Sequence, residues 1–367
     1  MVKHSFSNLL GREQRQEESA IKALRAIKKI AQKPVLHFAI FAVILSVIKV
    51  LSEQKILQSS FATAVGSTII FCIVGLGFCL LLGYSALASL GTAGFIAVGA
   101  YCAYFCLSQW QFTIGTAFLL AILVAFVVGV VVGFISLRIE GIYLAIVTLG
   151  VAQILKEAFA ALKDTIRLTG KQITISWLND MRLTTDHVYF ILVIALFILM
   201  VLTKNLMDSP TGRAMLAMKN STSAAQAFGI SLLKYRLLAF VLSTIYAAIG
   251  GFLYMLFIRN ASNSSDTLFA LSTSLNILGA VIIGGTKSIW GTIGGTFIIY
   301  GIDKMFLQDI EFFRANPTLI TLFCGILVIV VVMFFPGGLV QLLLEIKLKI
   351  KKLIVKIREG IYGKDIG

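Results

Sequence analysis

Apolar runs alternate with short polar breaks along most of the chain, and many reach the length of about 18 residues that a helix needs to cross a hydrocarbon core. The windows run at about Pro34 to Leu51, Ser60 to Leu82, Thr92 to Leu107, Phe112 to Leu137, Ile142 to Leu162, His187 to Thr203, Tyr235 to Ile258, Leu268 to Gly284, Trp290 to Phe306 and Thr318 to Phe335. The pattern predicts an all-α, polytopic integral membrane protein with about ten transmembrane helices, carried by residues 34–339.

One interruption, 208–234, is too polar at its start to span and carries its own punctuation. Ser209 before Pro210 reads as an N-cap with proline at the first helical position, which predicts a short helix ending near Lys219 and Asn220. Ser223 to Gln226 has capping-box spacing and Gly229 suits a left-handed C-cap, so a second helix of little more than one turn should follow. A helix that short holds only when packed against something, either the protein's own spans or a partner.

Charge fixes the orientation. Lys and Arg outnumber Asp and Glu by 32 to 17, and the excess gathers in 1–33, 208–234 and 340–367. Cytoplasmic loops are enriched in basic residues, so a cytoplasmic N-terminus and an even number of spans put the C-terminus and Arg213, Lys219, Lys234 and Arg236 inside as well. The opposite loops then hold Glu53, Asp164, Asp180, Asp186, Asp266, Asp309 and Glu311. The arm 1–33 and the tail 340–367 are basic and amphipathic. Ile346, Ile350, Leu353, Ile354 and Ile357 recur at helical spacing among lysines, as in a helix lying on anionic lipid; a solvated tail is the alternative. The basic balance thus points to membrane lipid and not to nucleic acid.

Candidate chemistry is sparse. Cys72, Cys79, Cys102, Cys106 and Cys324 sit inside apolar runs, and His4, His37 and His187 are far apart, so no metal set is expected. No phosphate-cradling G-x-x-x-x-G-K-[ST] loop, H-E-x-x-H, G-x-S-x-G or paired carboxylate appears. The expectation is a transporter and not an enzyme, with no catalytic residue and no cofactor in this chain; ATP-driven work would need another chain. Lys49, Glu157, Asp303 and Lys304 lie near span ends, which counts against an ion-driven carrier. Tyr101, Tyr143, Thr148, Gln153, Ser274 and Asn276 are polar residues within spans, which either line a path or hydrogen-bond between helices. Tyr143, Thr148 and above all Asn276 are the path candidates. Gly129 with Gly133, and Gly291 with Gly295, are small-xxx-small pairs; Gly91 and Gly94 in "LGTAGFIAVG" echo Gly291 and Gly294 in "WGTIGGTFIIYG", so these too are read as helix-packing positions.

Four stretches in order, "GIYLAIVTLGVAQIL" from Gly141, "GRAMLAMKNSTSAAQAFGISLLKYRLLAFVLSTIYAAIGGFLY" from Gly212, "SLNILGAVIIGGTKSIWGTIGG" from Ser274 and "FFPGGL" from Phe334, resemble permease subunits of branched-chain amino acid ABC importers of the high-affinity leucine/isoleucine/valine type. The resemblance covers about Leu80 to Leu339. It implies a multi-pass permease in a bacterial inner membrane, importing branched-chain or other hydrophobic amino acids. The implied partners are ABC ATPase subunits, a second permease subunit that is a paralogue or a second copy, and an external substrate-binding protein. It also implies that 208–234 is a cytoplasmic coupling loop, with Gly212, Arg213, Ser223, Ala224, Ala225 and Gly229 meeting the ATPase. Two departures stand out: Ser223 replaces the glutamate of the E-A-A-x-x-x-G pattern, and Leu168-Thr169-Gly170-Lys171 replaces L-T-G-G in an outer loop. A urea or amide permease of the same superfamily and a stand-alone secondary carrier remain the alternatives.

Overall fold

The computed structural model describes residues 34–54, 59–139, 141–162, 165–168, 174–175, 181–182, 184–262, 268–305, 317–334, 337–341, 345 and 347–348. The arm 1–33, most of the tail, the Thr169–Lys171 departure and Asp164, Asp180, Asp266, Asp309 and Glu311 lie outside them.

Apolar helices lie on all the predicted windows. They are α1 (Pro34–Glu53), α2 (Ser59–Phe78, continued by a π-helical turn Cys79–Tyr84), α3 (Thr92–Tyr104, then π-helical Phe105–Gln109), α4 (Ile114–Ser136) and α5 (Ile142–Leu162). After short strands β1 (Thr165–Arg167), β2 (Thr174–Ile175) and β3 (Met181–Arg182) come α6 (Thr185–Asp208), α7 (Pro210–Asn220), α8 (Thr222–Ala227) and α9 (Leu232–Ile258). Strand β4 (Asn260–Ser262) leads to α10 (Leu271–Gly284), α11 (Ile289–Thr296, then π-helical Phe297–Gly301), α12 (Ile302–Met305) and α13 (Pro317–Phe334). Among the described residues, α1 to α6 and α9 supply 7 segments long and apolar enough to span a membrane, with the π-helical turns counted in. Leu271–Gly284 and Ile289–Gly301 are shorter apolar helices.

Several ends differ from the windows. Helix α6 runs to Asp208, past the expected end at Thr203, because Lys204 and Asp208 pair one turn apart at 2.8 Å and let the helix emerge from the apolar layer. The window from Trp290 divides into α11, a π-helical turn and α12. Strands β1 and β4 pair antiparallel, tying the end of α5 to the end of α9; β2 pairs with β3.

The core forms around α9, against which α2, α3 and α4 pack. Helix α4 shows why: Ala117, Ala121, Ala125, Gly129 and Gly133 repeat every fourth residue and form its buried stripe, while Leu119, Leu123, Phe126, Val127 and Val131 point outward. In hydrocarbon, small residues on one face let backbones close in, and large apolar ones on the other meet lipid. Helices α3 and α9 approach closely: a Cβ on Gly99 would overlap the Ala248 carbonyl and one on Gly251 would overlap that of Ile96. Gly251→Val should therefore cost about 3 kcal/mol, the upper end for overpacking, read as a lower midpoint in thermal unfolding in detergent. Gly294→Val, with no described residue within 4 Å of its Cβ position, is the control expected to leave the midpoint unchanged.

Between Ser85 and Thr92 the chain is not helical, yet Leu87 and Ser89 are buried and Ala86 has φ 56°. Three of its amides are bonded by side chains, two of them from distant helices. Leu90 N–H donates to Thr148 Oγ1 at 3.0 Å, Gly91 N–H to Ser89 Oγ at 3.2 Å and Ala93 N–H to Ser274 Oγ at 2.9 Å. Gly83 abuts Thr286, just past the end of α10, whereas Ala93 bonds near its start. The segment thus climbs about 15 Å along α10, taking 1.5 Å per helical residue. Irregular backbone at membrane depth is tolerated where protein encloses it, as here.

Candidate functional site

Ser209 caps α7 as its sequence suggests: extended backbone, its Oγ accepting from Gly212 N–H at 3.2 Å, and Pro210 at the first position. Met215 and Met218 on α7 are buried, which seats the helix on the spans. Helix α8 begins two residues earlier than the Ser223 capping box would place it. Ser221, with φ −157°, ends α7 and caps α8 through an Oγ that accepts from Ala224 N–H at 3.3 Å. One residue thus makes the corner, and Ser223 lies inside the helix on its exposed side. The far end is a Schellman cap: Ile230 N–H donates to Ala225 O at 3.0 Å, Gly229 N–H to Gln226 O at 2.9 Å, and Gly229 has φ +76°.

The residues expected to meet an ATPase divide by orientation. Arg213, Ser223, Ala224 and Gly229 are exposed. Ala225 is buried, and Gly212 lies against the Leu206 and Met207 carbonyls, so both serve the seating of the two helices. The sequence reading missed Phe228, which is 87% exposed at the tip of the turn. Its signal was an aromatic residue just before a C-cap glycine, where the turn points it away from the helix it ends.

The path candidates also separate. Thr148 is fully buried and its hydroxyl has both roles filled, donating to Ala145 O at 3.0 Å and accepting from Leu90 N–H. Tyr101, another polar residue of a span, is buried and stacked on Phe159 at 4.5 Å. Tyr143 is 70% exposed near the start of α5, and Gln153 donates to Glu157 Oε1 at 2.8 Å on an exposed part of the same helix. Asn276 is half-buried on α10, flanked by exposed Leu271 and Leu275, and its amide makes no hydrogen bond among the described residues. Of the glycines, Gly91 and Gly94 press on Thr148 and Ala152 of α5, and Gly291 presses on Gly284. No described residue lies within 4 Å of a Cβ position on Gly294, so this chain gives it no packing partner; Gly295, one residue and about 100° further round the helix, meets the Ala280 carbonyl instead.

Residues 60–332 match the family described as branched-chain amino acid transport system, permease component. The chain is 29% identical over 306 residues to the high-affinity branched-chain amino acid transport system permease protein LivM of Salmonella typhimurium, covering 75% of this chain and 68% of that protein. It is 28% identical over 306 residues to the LivM of Escherichia coli, with the same coverage. No solved structure matches the chain. The family match extends over most of the helical core, from α2 into α13, and the chain belongs to the branched-chain amino acid transport system permease family, as a multi-pass membrane protein.

Proposed function

We propose that the chain is a membrane-spanning subunit of an ABC importer for branched-chain or other hydrophobic amino acids in a bacterial inner membrane. It works with ATPase subunits, a second permease and an external binding protein. The observation that carries this reading is the exposed Phe228–Gly229 tip of α8, an apolar group held out by a corner whose other side is anchored in the core. ATPase closure would act on that tip, and α7 would pass the motion to the spans. The outward Gln153 on α5 and the half-buried Asn276 on α10 favour a path shared with a second permease, since amides are costly against lipid. No covalent chemistry and no cofactor are assigned to this chain.

Purification in mild detergent tests the assembly: ATPase and permease partners should accompany the chain. Transport that collapses with the ion gradient, with no ATPase recovered, would establish a stand-alone carrier instead. The orientation has its own test. In a cysteine-free background, Gln111→Cys, between α3 and α4, should react with an impermeant thiol reagent from outside, and Ser223→Cys should react only after the membrane is opened. External labelling of Ser223→Cys overturns the cytoplasmic placement of 208–234.

A further inference from the structure

One contact links α7 to the spans through a charge. Lys219 Nζ donates to Leu82 O at 3.1 Å and to Gly83 O at 2.8 Å, the carbonyls at the π-helical end of α2. The last carbonyls of a helix lack intrahelical partners and carry the negative end of its dipole, so a lysine there is held by both hydrogen bonds and charge. The same helix end is locked to the turn between α10 and α11. Cys79 Sγ donates to Thr286 O at 3.2 Å, and Gly83 is pressed so closely on that carbonyl that a Cβ would overlap it. The turn is held from its other side too, with Gly338 against Gly285. Burial lowers the Lys219 ammonium pKa from its ordinary value, and Lys287 in the same turn adds to the effect.

We propose that Lys219 is a positioning residue for transport, a strut through which displacement of α7 reaches the α2 end and the α10–α11 turn, and hence α10 with Asn276. Packing by Met215 and Met218 holds α7 on the spans but has no direction along α2; two hydrogen bonds to successive carbonyls do. The geometry joins the α7–α8 corner to the turn through a single intermediate, the Leu82–Gly83 backbone.

The inference rests on the coupling reading of α8, so its test separates the two. The assembled importer, reconstituted in vesicles, is assayed for amino acid transported per ATP hydrolysed. Lys219→Met keeps the apolar stem and removes the donors. It should leave assembly and ATP hydrolysis within about twofold and lower transport per ATP by about tenfold, within the usual range of coupling between sites. Lys219→Arg should restore at least half of the wild-type ratio, because it renews the donors, whereas a purely steric role would not respond to that exchange. Should Lys219→Met fail to accumulate, the ratio is read on Lys219→Leu, which also lacks a donor. A wild-type ratio in the variant read overturns the strut. Gly229→Leu in the same vesicles reports on the docking reading alone: unchanged transport there removes the coupling role of α8 whatever Lys219 does.

Discussion

Gly229→Leu is expected to lower transport by about tenfold or more while the protein still inserts and its spans remain folded. At φ +76° a leucine costs about 1–2 kcal/mol of backbone energy, of the order of a factor of ten in an equilibrium. No described residue lies within 4 Å of the added Cβ position, so the effect falls on the cap and not on a collision with the described residues. A helix of six residues has little else to hold it: losing the Ile230–Ala225 and Gly229–Gln226 bonds frees the turn and with it the direction of Phe228. Gly229→Asn, which tolerates the left-handed conformation, should retain most activity. Transport and stimulated ATP hydrolysis, measured on equal amounts of inserted protein, decide the matter; full activity of Gly229→Leu removes the coupling role.

The second large effect concerns the path. Asn276→Leu is expected to cut transport per folded complex by about tenfold with the thermal midpoint unchanged, the loss that a coupling of about 1.4 kcal/mol between the amide and the passing substrate would give. The amide has no interhelical hydrogen bond among the described residues to lose, and leucine nearly conserves its volume. Thr148→Val makes the opposite case. It strips the acceptor from Leu90 N–H and should lower stability by up to about 2 kcal/mol while the folded fraction transports normally. Normal specific transport in Asn276→Leu, with a lowered midpoint, would make Asn276 a packing residue like Thr148.

Much of the fold was legible because lipid imposes a single rule on the chain. Apolar runs near 18 residues became helices, and Ser209-Pro210 and Gly229 mark local backbone geometry that depends on a few neighbours. What was missed depends on partners distant in sequence. Ser221 and Ser223 both suit a cap, and the choice fell to Ser221 because α7 already had to turn there. Gly294 and Gly295 differ only in which of them faces α10. The broken stretch before α3 looks like an ordinary inter-span loop, since the groups that bury it come from Thr148 and Ser274. For the candidate site, the sequence named the loop but not Phe228 or the reach of Lys219.

That broken stretch also bears on the order of assembly. The partners of Leu90 and Ala93 lie 58 and 181 residues later in the chain, so each is made after α2 and α3. A ribosome delivers the N-terminal part first. Until α5 arrives one of these amides lacks its acceptor, and until α10 arrives the other does, so the packing of α2 and α3 is completed only by segments that follow them in the chain. A chain halted before α10 would leave the Ala93 amide without the Ser274 acceptor that completes it in the full fold.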